Sequence, residues 1–376
     1  MSNTNKKVYI IIVNYNGWAD TIECLESVLR IDYLNHQVIV VDNKSSNNST
    51  EYIKAWAEGK LDIRVIPDNS LRSLSFPPIR KPVDYVFYER EEAEKGGNPK
   101  LEKLFKNPLI FIQTGYNGGF AFGNNVAIKY AMAKNDSDYT WLLNNDTVIE
   151  SNSLSLMVKT FENDKLIGIV GSALLIYDKP SLLQVLCGTG KMSCLNAGKG
   201  AYIEPKKTYT SEIEKNFNIP GYIVGASMLI RQEVFKQVGL FDENYFMWAE
   251  ETDFCFRTLK QKYKLYCCGK SKVYHKEGAS SGQDEVKSFL FRKSIRVSLK
   301  RFVITGYLDR RNHIYFIRKH YGLIYAFFYI FLYMPKLLKT IIGIFLFDSN
   351  KNKRLRLLLK GIIDGLRLNM GKPKEI

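Results

Sequence analysis

The sequence predicts an α/β protein: a mixed, mostly parallel, Rossmann-like sheet flanked by helices, followed by a helical, basic and apolar C-terminal region. Three observations predict it. Apolar β-branched runs alternate with helical patterns from the N-terminus onward, the order expected of a parallel doubly wound sheet. Those runs stop abruptly at Asn, Asp and Gly, as strands do where a sheet opens on a ligand crevice. The basic excess of the chain is confined to its last ninety residues.

The first strand is Val8–Val13 (VYIIIV), continuous in apolar residues as in a strand buried on both faces. It ends in Asn14-Tyr15-Asn16-Gly17, and Ile22, Leu25, Val28 and Leu29 then mark one face of a helix. Val38–Val41 is a second buried strand ending in Asp42-Asn43. Ser45 to Asn48 supply a loop and cap before a helix over 49–58, and a strand over 61–66 follows. Asn14 and Asp42 would then lie side by side at neighbouring strand ends, gripping a nucleotide or serving as plain loop residues. No GxGxxG follows the first strand, which argues against a dinucleotide site.

Residues 67–108 break the alternation with Pro67, Pro77, Pro78, Pro82, Pro108 and a charged run, and read as a surface insert. The pattern resumes with a strand at Leu109–Gln113. A glycine-rich turn containing Asn117 follows, then a helix over 124–134 that begins with Asn124 and Asn125. A helix start of this kind attracts phosphate. Tyr139–Leu143 is the next buried strand, and Asn144, Asn145 and Asp146 cap its tip. One carboxylate among amides can hold a divalent cation whose other positions go to water and phosphate; Asn and Asp also favour turns. Helix 153–161, strand 167–170, an irregular stretch 177–220 and an apolar segment 221–231 complete the sheet region.

An aromatic wall (Phe241, Tyr245, Phe246, Trp248) leads to Glu250, Glu251 and Asp253 at the start of a helix over 251–262. Carboxylates behind such a wall can act as bases. They also suit the first turn of a helix on electrostatic grounds alone. His275 stands in a Gly/Ser-rich stretch, where it is a metal or pyrophosphate ligand or simply an exposed loop residue.

From Lys287 to Ile376 the chain has 20 Lys and Arg against 4 Asp and Glu, which accounts for the whole net charge of +16. Gly322–Met334 carries no charge but is short for a bilayer span, and Pro335, Lys336 and Lys339 interrupt it. Residues 351–369 repeat the basic, aliphatic theme. The pattern predicts helices lying on an anionic membrane surface, with a buried helical subdomain as the alternative. So much aliphatic surface argues against nucleic acid. The six cysteines form no CxxC pair and read as reduced, intracellular thiols, and Met1–Lys7 lacks an apolar signal region.

In order and spacing, VNYNG (13–17), VVDNKSS (40–46), NGGFAFGNN (117–125), LLNNDT (142–147), GLFDENYFMWAEETDFCFR (239–257) and HKEGASSG (275–282) resemble the family 2 glycosyltransferases. The EETD form and basic tail are most similar to the rhamnosyltransferase-type branch, which acts on lipid-linked acceptors. The resemblance implies a GT-A catalytic domain over 1–285, with 67–108 inserted, and a membrane-associating region over 286–376. It implies that Asn14, Tyr15, Asn16 and Asp42 line the nucleotide of a nucleoside-diphosphate sugar, joined by Asn117, Asn124 and Asn145. Asp146 would bind divalent Mg or Mn, His275 would reach the metal or pyrophosphate, and Glu251, preceded by Glu250, would be the catalytic base. It further implies sugar transfer from a dTDP-rhamnose or UDP-sugar donor to a saccharide acceptor, in bacterial surface polysaccharide synthesis at the cytoplasmic membrane face. Two departures stand out: Asn47 replaces an aspartate common after the VDNxS segment, and Asn144 replaces the first acidic position of the DXD-like motif. A lapsed nucleotide-sugar-binding scaffold and a sugar-nucleotidyltransferase are the competing readings. The second needs a basic triphosphate loop near the N-terminus, which NYNGWAD does not provide.

Overall fold

The computed structural model describes residues 6–62, 68–187, 207–276, 285–286, 295–296, 299–347 and 351–373. The strands in chain order are β1 (Val8–Asn14), β2 (His36–Asp42), β3 (Tyr85–Glu89), β4 (Leu109–Gln113), β5 (Tyr139–Asn144), β6 (Thr147–Ile149), β7 (Ile167–Ile176), β8 (Lys179–Val185), β9 (Asn216–Asn218), β10 (Ser227–Arg231) and β11 (Lys264–His275). The helices are α1 (Trp18–Val28), α2 (Ser49–Ala57), α3 (Arg90–Glu94), α4 (Pro99–Glu102), α5 (Gly119–Lys134), α6 (Ser153–Thr160), α7 (Gln232–Val238), α8 (Glu250–Lys260), α9 (Leu299–Tyr321), α10 (Leu323–Phe347) and α11 (Lys351–Arg367).

These eleven strands form one sheet in the order β3-β4-β2-β1-β5-β10-β7-β11-β6, with β8 on β7 and β9 on β11, while Glu285–Val286 and Ile295–Arg296 pair separately as a short antiparallel ribbon. From β3 to β5 every pairing is parallel, β10 is antiparallel to both its neighbours, and β7 pairs β11 in parallel. This is the mixed, mostly parallel sheet the sequence predicts. The continuous apolar run of β1 has the expected cause: Val8, Ile10 and Ile12 enter one core, and Tyr9 and Ile11 the other. The first core is closed by α1, α2 and α6 through Leu25, Trp56 and Met157; the second by α5, α7 and α8 through Val126, Phe235 and Phe254.

Several elements depart from expectation. The 67–108 segment supplies β3, an edge strand with Val86 and Tyr88 buried, besides exposed turns. Its chain is tied to α1 through buried Glu26, which accepts from Trp56 Nε1 (2.9 Å), Ile79 N (2.8 Å) and Lys81 Nζ (3.0 Å). The expected strand at 61–66 falls largely outside the described residues, as does 277–284 of the His275 stretch. The irregular 177–220 stretch contains β8 and β9. Helix α5 starts at Gly119, five residues before Asn124, because Asn117 Oδ1 accepts from Gly119 N (2.9 Å) and terminates the loop there.

The tail also differs. Pro335 does not break it: α10 runs unbroken from Leu323 to Phe347. Leu323–Leu346 is the one helix among the described residues long and apolar enough to cross a membrane. Most of its apolar side chains are exposed, Ile324 at 83% and Phe331 at 71%. Helix α9, in contrast, belongs to the sheet body: Ile314, Phe316 and Ile317 are buried in the second core, and Phe316 meets Phe256 of α8 edge-on at 5.3 Å. The five described cysteines are buried free thiols.

Candidate active site

Strands β2, β1 and β5 are adjacent and parallel, so Asp42, Asn14 and Asn144 lie in one row at their C-terminal ends. The inner part of that row is already saturated. Asn14 is fully buried, donating to Asp42 Oδ1 (2.7 Å) and accepting from Thr21 Oγ1 (2.9 Å). The Asp42 carboxylate also receives Ser45 Oγ (2.6 Å), Ser45 N (3.0 Å) and Gln113 Nε2 (2.9 Å). Both residues therefore build the crevice floor and hold the 43–48 loop over it. The groups left open at the crevice are their neighbours. Tyr15 is 41% exposed. Asn16 adopts φ 58° and accepts from Ser46 N (2.8 Å), which fixes the lip of the crevice.

On the opposite side stands the glycine-rich turn. Asn117 is half-buried and braced by Asn43 Nδ2 (3.2 Å). Asn124 does not face the crevice: it is buried and its amide donates to Phe120 O within its own helix (2.9 Å). The expectation of a helix-start ligand at Asn124 is corrected accordingly: α5 begins at Gly119, and the N–H groups of Gly119 and Phe120 are taken by Asn117 Oδ1 and Phe246 O. Asn145 donates to Thr21 Oγ1 (3.0 Å) and Gly17 O (3.3 Å), clamping the tip of β5 to α1.

Asp146 and His275 meet. His275 ends β11 opposite Thr147 of β6, so it is a strand terminus, and its Nε2 lies 3.1 Å from Asp146 Oδ1. Its Nδ1 is 2.9 Å from Gln184 Oε1 on β8, an acceptor for Nδ1–H. The Asn144 amide lies 3.4 Å from Nε2. A carboxylate and a neutral imidazole facing each other can share a cation. Among the described residues no third His, Cys, Asp or Glu joins them. Two protein ligands with the other positions left to phosphate oxygens and water is how Mg²⁺ is ordinarily held at nucleotide sites, and the imidazole also suits Mn²⁺.

Lys276, missed in the sequence, locks this corner. Its backbone N–H donates to Asp146 O (3.0 Å), and its ammonium lies 2.5 Å from both Asp20 Oδ1 and Glu23 Oε2 of α1. Burial alone would lower its pKa; the charges of Glu23 and Asp20 outweigh that and raise it. Gln184 was equally invisible, lying on a short edge strand within the stretch read as irregular.

The two glutamates open α8. Strand β10 begins beside the tip of β5, where Asn144 N donates to Ala226 O (3.0 Å), and Glu251 packs against Gly225 just before it. Glu250 is buried, and its Oε2 has no hydrogen-bond partner among the described residues. Burial and the neighbouring Glu251 raise its pKa well above the carboxylate range. Glu251 is raised by burial but keeps part of its surface open. Burial thus pushes both carboxyls of the pair up, and Glu250 is the more enclosed of the two. Asp253, on the same helix, is wholly engaged elsewhere: it meets Arg257 (2.8 Å), Lys319 (2.7 Å) and His320 (2.7 Å).

Residues 9–72 match the family described as Glycosyl transferase family 2. That match takes in β1, α1, β2 and α2. Among curated proteins similar to this chain is the low-salt glycan biosynthesis hexosyltransferase Agl10 of Haloferax volcanii. It is 23% identical over 166 residues, 43% of this chain and 49% of the relative. The N-acetylglucosaminyl-diphospho-decaprenol L-rhamnosyltransferase of Mycobacterium tuberculosis is 36% identical over 64 residues, 17% of this chain and 21% of that protein. The matches thus span about half of the first relative's length and about a fifth of the second's. Among solved structures, the mannosyltransferase PcManGT of Pyrobaculum calidifontis, in complex with GDP-Man and Mn²⁺, superimposes with a TM-score of 0.48 at 11% identity. That match covers 97% of this chain and 89% of PcManGT.

Proposed function

We propose that this protein is a family 2 inverting glycosyltransferase that moves a sugar from a nucleoside-diphosphate sugar to a hydroxyl of a saccharide acceptor. The observation that carries the reading is the pairing of Asp146 with His275 beside the tip of β5, together with the buried Glu250–Glu251 pair that opens α8. Asp146 and His275 would hold a divalent cation, whose chemistry is to neutralise charge on the departing diphosphate. Tyr15, Asn16 and Asn117 line the donor side.

Glu251 takes the acceptor hydroxyl proton. The acceptor oxygen forms its bond to the anomeric carbon as the bond from that carbon to the diphosphate oxygen breaks. The electron pair leaves with the nucleoside diphosphate. A single displacement inverts the anomeric centre. Burial disfavours a second negative charge at Glu250 beside the base, and positioned proton transfer contributes typically about 10²–10⁴ in rate.

The donor is taken to be dTDP-rhamnose or a UDP-sugar, and the acceptor a lipid-linked saccharide. A relative named for a diphospho-decaprenol acceptor supports the latter. The exposed apolar side of α10 and the basic α11 support a peripheral place on an anionic membrane, at the cytoplasmic face where both substrates meet.

Thermal unfolding tests the donor reading, using dTDP, UDP and GDP with Mn²⁺ or Mg²⁺ and then with EDTA. A ligand at one hundred times its dissociation constant stabilises by about 2.7 kcal/mol. A metal-dependent shift with dTDP supports a rhamnosyl donor, and one with UDP a hexosyl donor. No shift with any of the three sinks the nucleotide-sugar reading.

A further inference from the structure

The segment that delivers the two glutamates is the most contorted backbone in the chain. Phe246 (φ 63°), Trp248 (φ 66°) and Ala249 (φ 74°) are all non-glycine residues with positive φ, within four positions. Such conformations are costly for residues with a Cβ, so surrounding structure must hold the segment in place. Its next residue is Glu250.

Two clamps hold it. On the donor side, Phe246 O accepts from Phe120 N (2.9 Å) at the start of α5. The approach is so close that a Cβ on Gly119, itself at φ 91°, would sit 1.9 Å from Phe246 O. On the other side stands α9. Asn312 is fully buried, and its amide donates to three carbonyls of the segment: Trp248 O (2.7 Å), Met247 O (2.8 Å) and Tyr245 O (3.2 Å). Arg311, 1% exposed, donates to Tyr245 O (2.9 Å), and its Nε donates to Asn312 Oδ1 (3.0 Å), which fixes which end of the amide faces the carbonyls.

We infer that Asn312 is a positioning residue for the Glu250–Glu251 segment, oriented by Arg311, so that α9 of the tail region sets the geometry of the base as well as joining the body to α10. The chemistry is direct. The Asn312 amide ties the Met247 and Trp248 carbonyls to α9, while Tyr245 O also accepts from Met247 N and Arg311, so the positive-φ turn is held from α9 at successive carbonyls. The inference rests on the transfer reading, in which Glu251 is the base.

The test uses the full chain with Asn312→Ala, and Asp364→Asn on α11 as a control that touches none of residues 245–251. Three quantities are read: kcat and donor KM in transfer, nucleoside-diphosphate binding by thermal shift, and hydrogen–deuterium exchange of 246–253. Asn312→Ala is expected to lower kcat about 10–100-fold, the scale of a base displaced by roughly an ångström. Donor KM and nucleotide binding should stay within about threefold, and exchange across 246–253 should speed up. Asp364→Asn is expected to lower the unfolding temperature while leaving kcat per nucleotide-binding site unchanged. Wild-type kcat in Asn312→Ala overturns the inference even if its stability falls, and so does unchanged exchange. A wild-type chain that binds nucleotide but transfers from no donor overturns the transfer reading, and the catalytic meaning of Asn312 with it.

Discussion

Replacing Asp253 with Asn tests whether the tail helix is held to the catalytic body by charge. Asp253 is completely buried and meets Arg257, Lys319 and His320 at 2.7–2.8 Å, besides Tyr245 Oη at 3.3 Å. Burial raises a carboxyl pKa, but here the His320 hydrogen bond and the charges of Arg257 and Lys319 outweigh it, and the group ionises below its ordinary range. Asn keeps the shape and removes the charge, leaving cations without their counter-ion. Breaking one partner of a buried charge pair costs about 3–5 kcal/mol. At roughly 2.1 cal/mol/K per residue, the 376-residue chain unfolds with an entropy near 0.8 kcal/mol/K, so the melting temperature should fall by about 4–6 °C. The pH dependence has a definite sign. The folded pKa is depressed, so the stabilisation is complete above the unfolded value of about 3.9 and is lost as pH falls toward the folded value. Calorimetry of both chains at pH 7 and at descending pH reads this directly. The two curves should converge as the wild type is acidified. A melting temperature within about 1 °C of wild type at pH 7 would refute the ionised network.

Three further outcomes follow from the site and the tail. The acid limb of kcat should lie above the ordinary glutamate value of about 4.3, with activity rising as pH rises, because burial raises the Glu251 pKa; a pH–rate profile with its limb at or below that value contradicts this assignment. Gln184→Leu should weaken Mn²⁺ about 10–100-fold by freeing the Nδ1 side of His275, read from Mn²⁺ titration of the nucleotide-dependent thermal shift, and an unchanged midpoint would remove Gln184 from that role. Changing Ile324, Phe327 and Phe331 together to Ser should release the chain from anionic vesicles in co-sedimentation without lowering nucleotide binding; undiminished sedimentation would detach α10 from the membrane reading.

Much of this was legible because short-range pattern and long-range structure agree. The buried strands β1, β2, β4 and β5 are continuous apolar runs, and a strand buried on both faces has no other pattern to show. Their Asn and Asp termini announced the crevice, and the motifs at 142–147 and 239–257 placed Asp146 and Glu251. What the residues could not convey was partnership. Asn14 and Asp42 read as ligand groups, yet they satisfy one another and the 43–48 loop. Asn124 read as a helix start because its glycine-rich approach looked like loop, whereas Asn117 caps the helix five residues earlier. Pro335 read as a break, but α10 continues through it. Gln184, Lys276 and Asn312 carry no local signal, since each acts on a residue at least 60 positions away or across a sheet edge. The same blindness affected the tail: truncation near Lys319 looks like removal of an anchor, but it would also delete His320 and expose Asp253.

The most direct test of the central claim is Glu251→Gln, measured for nucleoside-diphosphate binding and for sugar transfer on the same preparation. Binding with Mn²⁺ should match wild type, because Glu251 stands apart from the Asp146–His275 pair, while transfer should fall by about 10²–10⁴. Transfer at the wild-type rate with binding intact would remove Glu251 as the base and overturn this account of the site.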